Sequence, residues 1–200
     1  FRYRFHYQRG EMRRFAAFAA AFAFVLALGA PQALAANGSK SKADDTHVQL
    51  LAINDFHGNL LPPSGSSGRI TTGVGTTDDA GGVEYLATHI KALRAQNQNT
   101  LTVGAGDLIG ASPLISGLFH DEPTIESMNL LGLDVSGVGN HEFDEGVGEL
   151  LRMQSGGCHP VDGCQDGDPF AGSFFHYLAA NLFYALTCET ILPAYEIKQV

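Results

Sequence analysis

The amino-acid sequence predicts an α/β domain built around a largely parallel sheet. Short apolar runs of strand length alternate with segments of helical period, and each run breaks off at a polar, Gly-bearing turn. With 44% hydrophobic and 16% charged residues in a chain of 200, there is enough apolar content to fill a core, which excludes a largely disordered chain and a coiled coil. No repeat of solenoid or collagen period is present.

Residues 1–11 precede Met12 and are expected to be upstream sequence translated in frame, without a structural role. Residues 12–35 carry the three parts of a secretory signal peptide. These are Met12-Arg13-Arg14, an uncharged stretch rich in Ala and Phe, and Ala33-Leu34-Ala35 as an A-x-A pattern cut after Ala35. An uncleaved membrane anchor is the alternative, but the strongly apolar part is short for a span of ~20 residues. The small-residue end favours cleavage. Residues 36–46 read as a flexible polar linker. The expected destination is secreted, extracellular or in the cell envelope, with no stable membrane insertion after cleavage.

Residues 47–54 (HVQLLAIN) form a continuous apolar run, expected as a strand buried on both faces. Residues 60–82, rich in Gly, Ser, Thr and Pro, read as a long surface loop. From Gly82 the period changes. Val83, Leu86, Ala87, Ile90 and Leu93 define an amphipathic helix to about Gln98, with Asp79 as a plausible cap near its start. Residues 100–103 form a second buried strand. Pro123 suits the first turn of a helix carrying Ile125, Met128 and Leu131, which stops at Gly132. Residues 134–138 are a third short strand, and 143–153 another helix. Residues 177–181 and 194–200 are candidate strands, and the final segment stops without a turn, as if cut in mid-domain.

The formal net charge of -9 understates the acidity of the folded part. The first 36 residues hold five Arg and one Glu, so the remainder carries seven basic against twenty acidic residues. Such a chain repels polyphosphate backbones, and a nucleic-acid-coating role is not expected. Bound metal is the simplest way for it to handle an anionic substrate. Cys158 and Cys164 bracket five residues and, outside the cytosol, read as a small disulfide-closed loop. A Zn site using both Cys and His159 is the rival reading, at unusual spacing and short of ligands. Cys188 is left over, expected as a buried free thiol.

Three predicted strands end in metal-competent groups: Asp55 and His57, then Asp107, then Asn140 and His141. Ligands of open α/β sheets gather where loops leave the carboxyl ends of strands. Gly58, Gly106 and Gly139 flank these clusters and allow close backbone approach. Carboxylate, imidazole and amide together suit a borderline divalent ion such as Mn, Fe or Zn better than Ca. Each group alone could simply close a turn. Gly104, Gly106 and Gly110 miss the dinucleotide spacing, and neither a P-loop nor a G-x-S-x-G elbow occurs. His6, His47, His89, His120 and His176 have no partner recognisable from sequence and read as ordinary.

Asp55-Phe56-His57-Gly58-Asn59, Gly106-Asp107 and Gly139-Asn140-His141-Glu142-Phe143-Asp144 resemble three signature blocks of the calcineurin-like metallophosphoesterases. With Leu50-Leu51-Ala52-Ile53-Asn54, Gly81-Gly82 and Tyr177-Leu178-Ala179-Ala180-Asn181, the wording is closest to the secreted bacterial 5'-nucleotidase family, over about residues 48–200. The resemblance implies a four-layer α/β/β/α sandwich, of which residues 47–200 are the N-terminal part. It implies two divalent metal ions (Mn, Zn or Fe) and hydrolysis of small-molecule nucleotides by attack of a metal-bound hydroxide, releasing inorganic phosphate. Asp55 and His57 would bind one metal, Asp107 would bridge both, and Asn140 would bind the second. His141 would be the catalytic histidine at the phosphate, oriented by Asp144.

The family supplies further His ligands from later blocks, including a Gly-His-x-His motif, which nothing here matches. The isolated chain is therefore expected to carry roughly half of a metal centre and to be inactive alone. Cyclic-phosphodiesterase/3'-nucleotidase or UDP-sugar hydrolysis compete within the enzyme class, and a non-catalytic secreted fragment competes outside it.

Overall fold

The computed structural model describes residues 45–200. The expectations for 1–11, 12–35 and nearly all of 36–46 lie outside the described residues. In chain order the elements are β1 (Gln49–Ile53), β2 (Arg69–Gly73), β3 (Thr76–Asp79), α1 (Val83–Arg94), β4 (Thr100–Gly104), α2 (Leu114–Gly117), α3 (Glu122–Leu131), β5 (Val135–Gly137), α4 (Val147–Ser155) and β6 (His176–Leu178). Short 3₁₀ turns lie at Gly65–Gly68 and His141–Phe143.

The α/β expectation holds. One sheet has the order β1-β4-β5-β6 with every neighbouring pair parallel, so all four carboxyl ends lie along one edge. β2 and β3 make a separate antiparallel hairpin. No second large sheet is formed by the described residues, so the four-layer arrangement is seen as one parallel sheet with its helices.

Helices α3 and α4 and strand β6 build the core. Ile125, Met128, Leu150, Met153 and Tyr177 are fully buried and pack with Leu108, Phe170 and Phe175. Each such aliphatic or Met side chain contributes about 1.5–3 kcal/mol through its removal from water. At the amino-terminal edge of the sheet, Arg94 ties three elements together. Its guanidinium donates to Thr102 Oγ1 (2.7 Å) and to the Gly132 carbonyl (2.6 Å), and it pairs with Asp134 (3.3 Å).

Several expectations are corrected. β1 is an edge strand with alternating burial, not one buried on both faces: Leu50 is 63% exposed, because no described element covers that face. Thr-rich residues around Gly73-Val74-Gly75 form the β2–β3 hairpin within the expected loop. This places Asp79 in a strand, and Gly82 is the α1 cap. α1 ends at Arg94, ahead of the Gln98 expected from its period. The helix expected over 143–153 is split: Gly146, at φ 88°, separates the 3₁₀ turn from α4. The short helix α2 carried too weak a pattern to be foreseen, and residues 194–200 form no strand. Cys188 is exposed, not buried.

Candidate metal centre

Because β1 and β4 are adjacent and parallel, with Ile53 opposite Gly104, their following loops run side by side. The pairing continues past the strands: Asp55 N–H donates to the Gly106 carbonyl, His57 N–H to Asp107, and Gly58 N–H to Leu108, each at 3.1 Å. Two residues apart on one loop, Asp55 and His57 are thereby aligned with Asp107 on the next. A donor atom from each of the three side chains lies within 4.8 Å of the other two.

All three residues adopt the left-handed backbone conformation, at φ 51°, 46° and 52°. Non-Gly residues rarely do so, at a cost on the order of 1 kcal/mol or more, and such residues concentrate at functional sites. The backbone strain here is tied to bringing donors together.

The donor set fits a divalent cation. His57 Nδ1 lies 2.8 Å from the Gly110 carbonyl, which can only accept, so Nδ1 carries the hydrogen. Nε2 is left with a free lone pair, 3.9 Å from Asp55 Oδ1. Fixing one ring nitrogen in this way is how proteins orient a histidine ligand. Asp55 is mostly exposed and also accepts from the Asn54 side chain, whereas Asp107 is half-buried.

His141 enters from the β5 loop. Its ring meets that of His57 edge-on, with centroids 4.9 Å apart, and its backbone N–H donates to Asp107 Oδ1 at 2.9 Å. Asp144 Oδ2 accepts from His141 Nδ1 at 2.8 Å and from the Ala111 N–H at 3.2 Å. The Asp144 hydrogen bond raises the His141 pKa above its ordinary value, and the His141 bond in turn lowers that of Asp144. With Nδ1 held by Asp144, Nε2 is the ring nitrogen left to meet a ligand. Asn140 is exposed at the head of the 3₁₀ turn, one residue before His141.

No protein-family model matches the chain. An uncharacterized protein in the pqq-V 5' region of Acinetobacter calcoaceticus is 48% identical over 162 residues, covering 76% of this chain and 78% of that protein. Endonuclease YhcR of Bacillus subtilis is 41% identical, over 80% of this chain and 13% of its own length. A snake venom 5'-nucleotidase of Gloydius brevicauda is 36% identical, over 54% of this chain and 18% of the enzyme. Among solved structures, Haemophilus influenzae NAD nucleotidase superposes with a TM-score of 0.57 at 27% identity, covering 76% of this chain and 24% of that one.

The chain belongs to the 5'-nucleotidase family.

It matches the N-terminal portion of that calcineurin-like phosphoesterase family. The chain spans most of the Acinetobacter protein but less than a quarter of each of the other three proteins.

In this family member, the residue that sequence reasoning passed over is Glu142. It is 3% exposed, and its carboxylate accepts three backbone N–H groups: Asp107 (2.9 Å), Leu108 (2.8 Å) and Gly139 (2.6 Å). One side chain thus clasps the β4 and β5 loops. Gly139 complements it, since a Cβ there would collide with the Asp107 carboxylate. Asp121 plays a similar part behind the site, accepting from the Gly110 N–H (3.0 Å) and Ser116 Oγ (2.6 Å). The only signal for Glu142 was its place within the block 139–144.

Proposed function

We propose that this chain is the ligand-bearing N-terminal part of a metal-dependent phosphoester hydrolase acting on small nucleotides. The reading rests on one juxtaposition: Asp55, His57 and Asp107 within ion-sharing distance, with the Asp144-braced His141 against the same histidine. The names of its relatives, a 5'-nucleotidase and an NAD nucleotidase, support nucleotides as the substrate class. Asp55, His57 and Asp107 would hold a divalent ion, Asp107 would be shared with a second ion if one binds, and Asn140 would serve that second ion. Mn, Zn and Fe all suit these donors. When bound, a divalent pair supplies charge neutralisation at phosphoryl oxygens and a nucleophile at neutral pH.

The chain's own residues do the rest. His141 Nε2 carries a proton toward the leaving oxygen, and Asp144 holds the ring in the tautomer and charge state that allow it. Glu142 keeps the two loops in register. The signal segment at 12–35 and the disulfide between Cys158 and Cys164 support export, as does a venom relative.

The test is phosphate release from AMP by the product of the complete reading frame. Release that stops with chelator and falls about 100-fold or more in His141→Ala is expected. Absence of turnover, or turnover indifferent to both His141→Ala and Asp107→Asn, overturns the proposal.

A further inference from the structure

Three segments meet around one imidazole, away from the cluster at Asp55, His57 and Asp107. His120 follows α2, Glu145 follows the 3₁₀ turn at His141–Phe143, and His159 and Asp162 sit in the loop closed by Cys158 and Cys164. The sequence offers His120 no recognisable partner; the structure gives it three. Glu145 Oε2 lies 2.8 Å from its Nδ1 and Asp162 Oδ2 lies 2.9 Å from its Nε2. The His159 ring stacks on its face, with centroids 3.7 Å apart and planes 12° from parallel. The His120 side chain is largely buried, at 15% exposure.

We infer that His120 is a doubly protonated imidazolium that latches the disulfide-closed loop onto the two segments bracing the candidate metal centre, and that the latch loosens as pH rises. The carboxylates decide the protonation. An ionised carboxylate only accepts, so each ring nitrogen that faces one must donate, and only the imidazolium has two N–H groups. A neutral ring would turn a lone pair toward one of the two carboxylates. His159 completes the arrangement. The Val161 and Asp162 backbone N–H groups point at its Nδ1, at 3.4 and 3.1 Å, so that nitrogen accepts and carries no hydrogen. A charged ring thus lies on an uncharged one, which attracts, where two charged rings would repel. The rival sequence reading of a zinc site falls here, because the two cysteines are bonded to each other and His159 Nδ1 is already engaged.

Among the described residues, the charged or titratable groups facing His120 are Glu145 before α4, Glu149 within it, and His159 and Asp162 from the loop. Burial opposes the charge on His120, but the hydrogen bonds to Glu145 and Asp162, with the charges of Glu145 and Glu149, outweigh it and hold the pKa above its ordinary 6.5. The contribution of the latch is therefore complete below pH 6.5 and is lost as pH climbs through the raised value.

Chain neighbours connect the latch to the site. Asp121, next to His120, accepts the Gly110 N–H at 3.0 Å, and the Gly110 carbonyl faces His57 Nδ1 at 2.8 Å. Asp144, next to Glu145, holds His141 Nδ1 at 2.8 Å. His120 and Asp121 are consecutive non-Gly residues in the left-handed conformation, at φ 51° and 60°, which persists only where the surroundings over-determine it. Two carboxylates and a stacked ring do so for His120. These contacts hold whether or not the chain hydrolyses a phosphoester.

Imidazole NMR of the full, metal-free chain tests the latch without any variant. At about pH 6 both His120 nitrogens are expected to carry hydrogen, as an imidazolium does. The His120 midpoint is expected above 6.5, and the backbone signals of residues 159–163 are expected to move with that same midpoint. Glu145→Gln and Asp162→Asn are each expected to lower it by about 0.5 pH unit or more. His120→Phe keeps a flat ring against His159 but has no charge. Its deficit in urea stability relative to the parent is expected to be widest at about pH 6 and to shrink as pH rises through the His120 midpoint. A single ring hydrogen at that pH, a midpoint indifferent to both carboxylate variants, loop signals that ignore it, or a deficit that does not change with pH would each overturn the latch.

Discussion

Replacing Glu142 with Gln isolates the clasp between the two loops with almost no change in volume. Glu142 Oε2 receives the Asp107 and Gly139 N–H groups, and Oε1 receives that of Leu108. Gln has one acceptor oxygen. In its best orientation it serves the two-donor end and turns an NH₂ toward the Leu108 N–H. One bond to a charged acceptor is lost, worth about 1.5–3 kcal/mol, and a buried donor is left unpaired at about 1–3 kcal/mol. Together the substitution costs about 2.5–6 kcal/mol, a large part of the roughly 5–15 kcal/mol that holds a domain folded. At a urea dependence of about 2 kcal/mol per molar, the unfolding midpoint of the metal-free chain falls by about 2 M. Far-UV circular dichroism under urea measures it. A Glu142→Gln chain within 1 kcal/mol of the parent would refute the role assigned to these three bonds.

Three further outcomes follow from the same geometry. Gly139→Ala drives a methyl into the Asp107 carboxylate and is expected to weaken divalent-ion binding at least 10-fold, read by calorimetric titration. Removing the disulfide by Cys158→Ala with Cys164→Ala opens a loop of sequence separation 6 and should cost about 2 kcal/mol by urea unfolding. For the His141–Asp144 pair, the His141 pKa is raised above its ordinary 6.5 by Asp144, and that of Asp144 is held below its ordinary 3.8 by His141. The His141 contribution to stability is therefore complete below pH 6.5 and drains away as pH rises through the raised value. The Asp144 contribution is complete above pH 3.8 and drains as pH falls through the lowered one. Imidazole NMR of the metal-free chain should place the His141 midpoint above 6.5 and lower it in Asp144→Asn; a midpoint that ignores the substitution refutes the pairing.

Much of this architecture was legible in the residues because the signals were local. The apolar runs at β1 and β4, the Pro123-to-Gly132 limits of α3, and the turn residues at 55–58, 104–107 and 139–141 each announce themselves within a few positions. Their convergence followed from parallel strands sharing one carboxyl edge. What escaped depends on contacts distant in sequence. Nothing near Glu142 says that its partners lie at 107, 108 and 139, and nothing near His120 says that a loop at 158–164 will stack an imidazole on it. The β2–β3 hairpin escaped for another reason. Its residues are all exposed, so no alternation of apolar and polar positions marks its strands. β1 misled in the opposite direction, because apolar residues on both faces do not reveal whether both faces are covered.

Whether Asp55, His57 and Asp107 share a divalent ion can be read from an anomalous-scattering map of crystals grown with Mn²⁺. A peak is expected within about 2.0–2.3 Å of an Asp55 oxygen, His57 Nε2 and an Asp107 oxygen, absent from Asp107→Asn crystals. A manganese peak elsewhere only, or carboxylates of 55 and 107 turned apart around no ion, would contradict it.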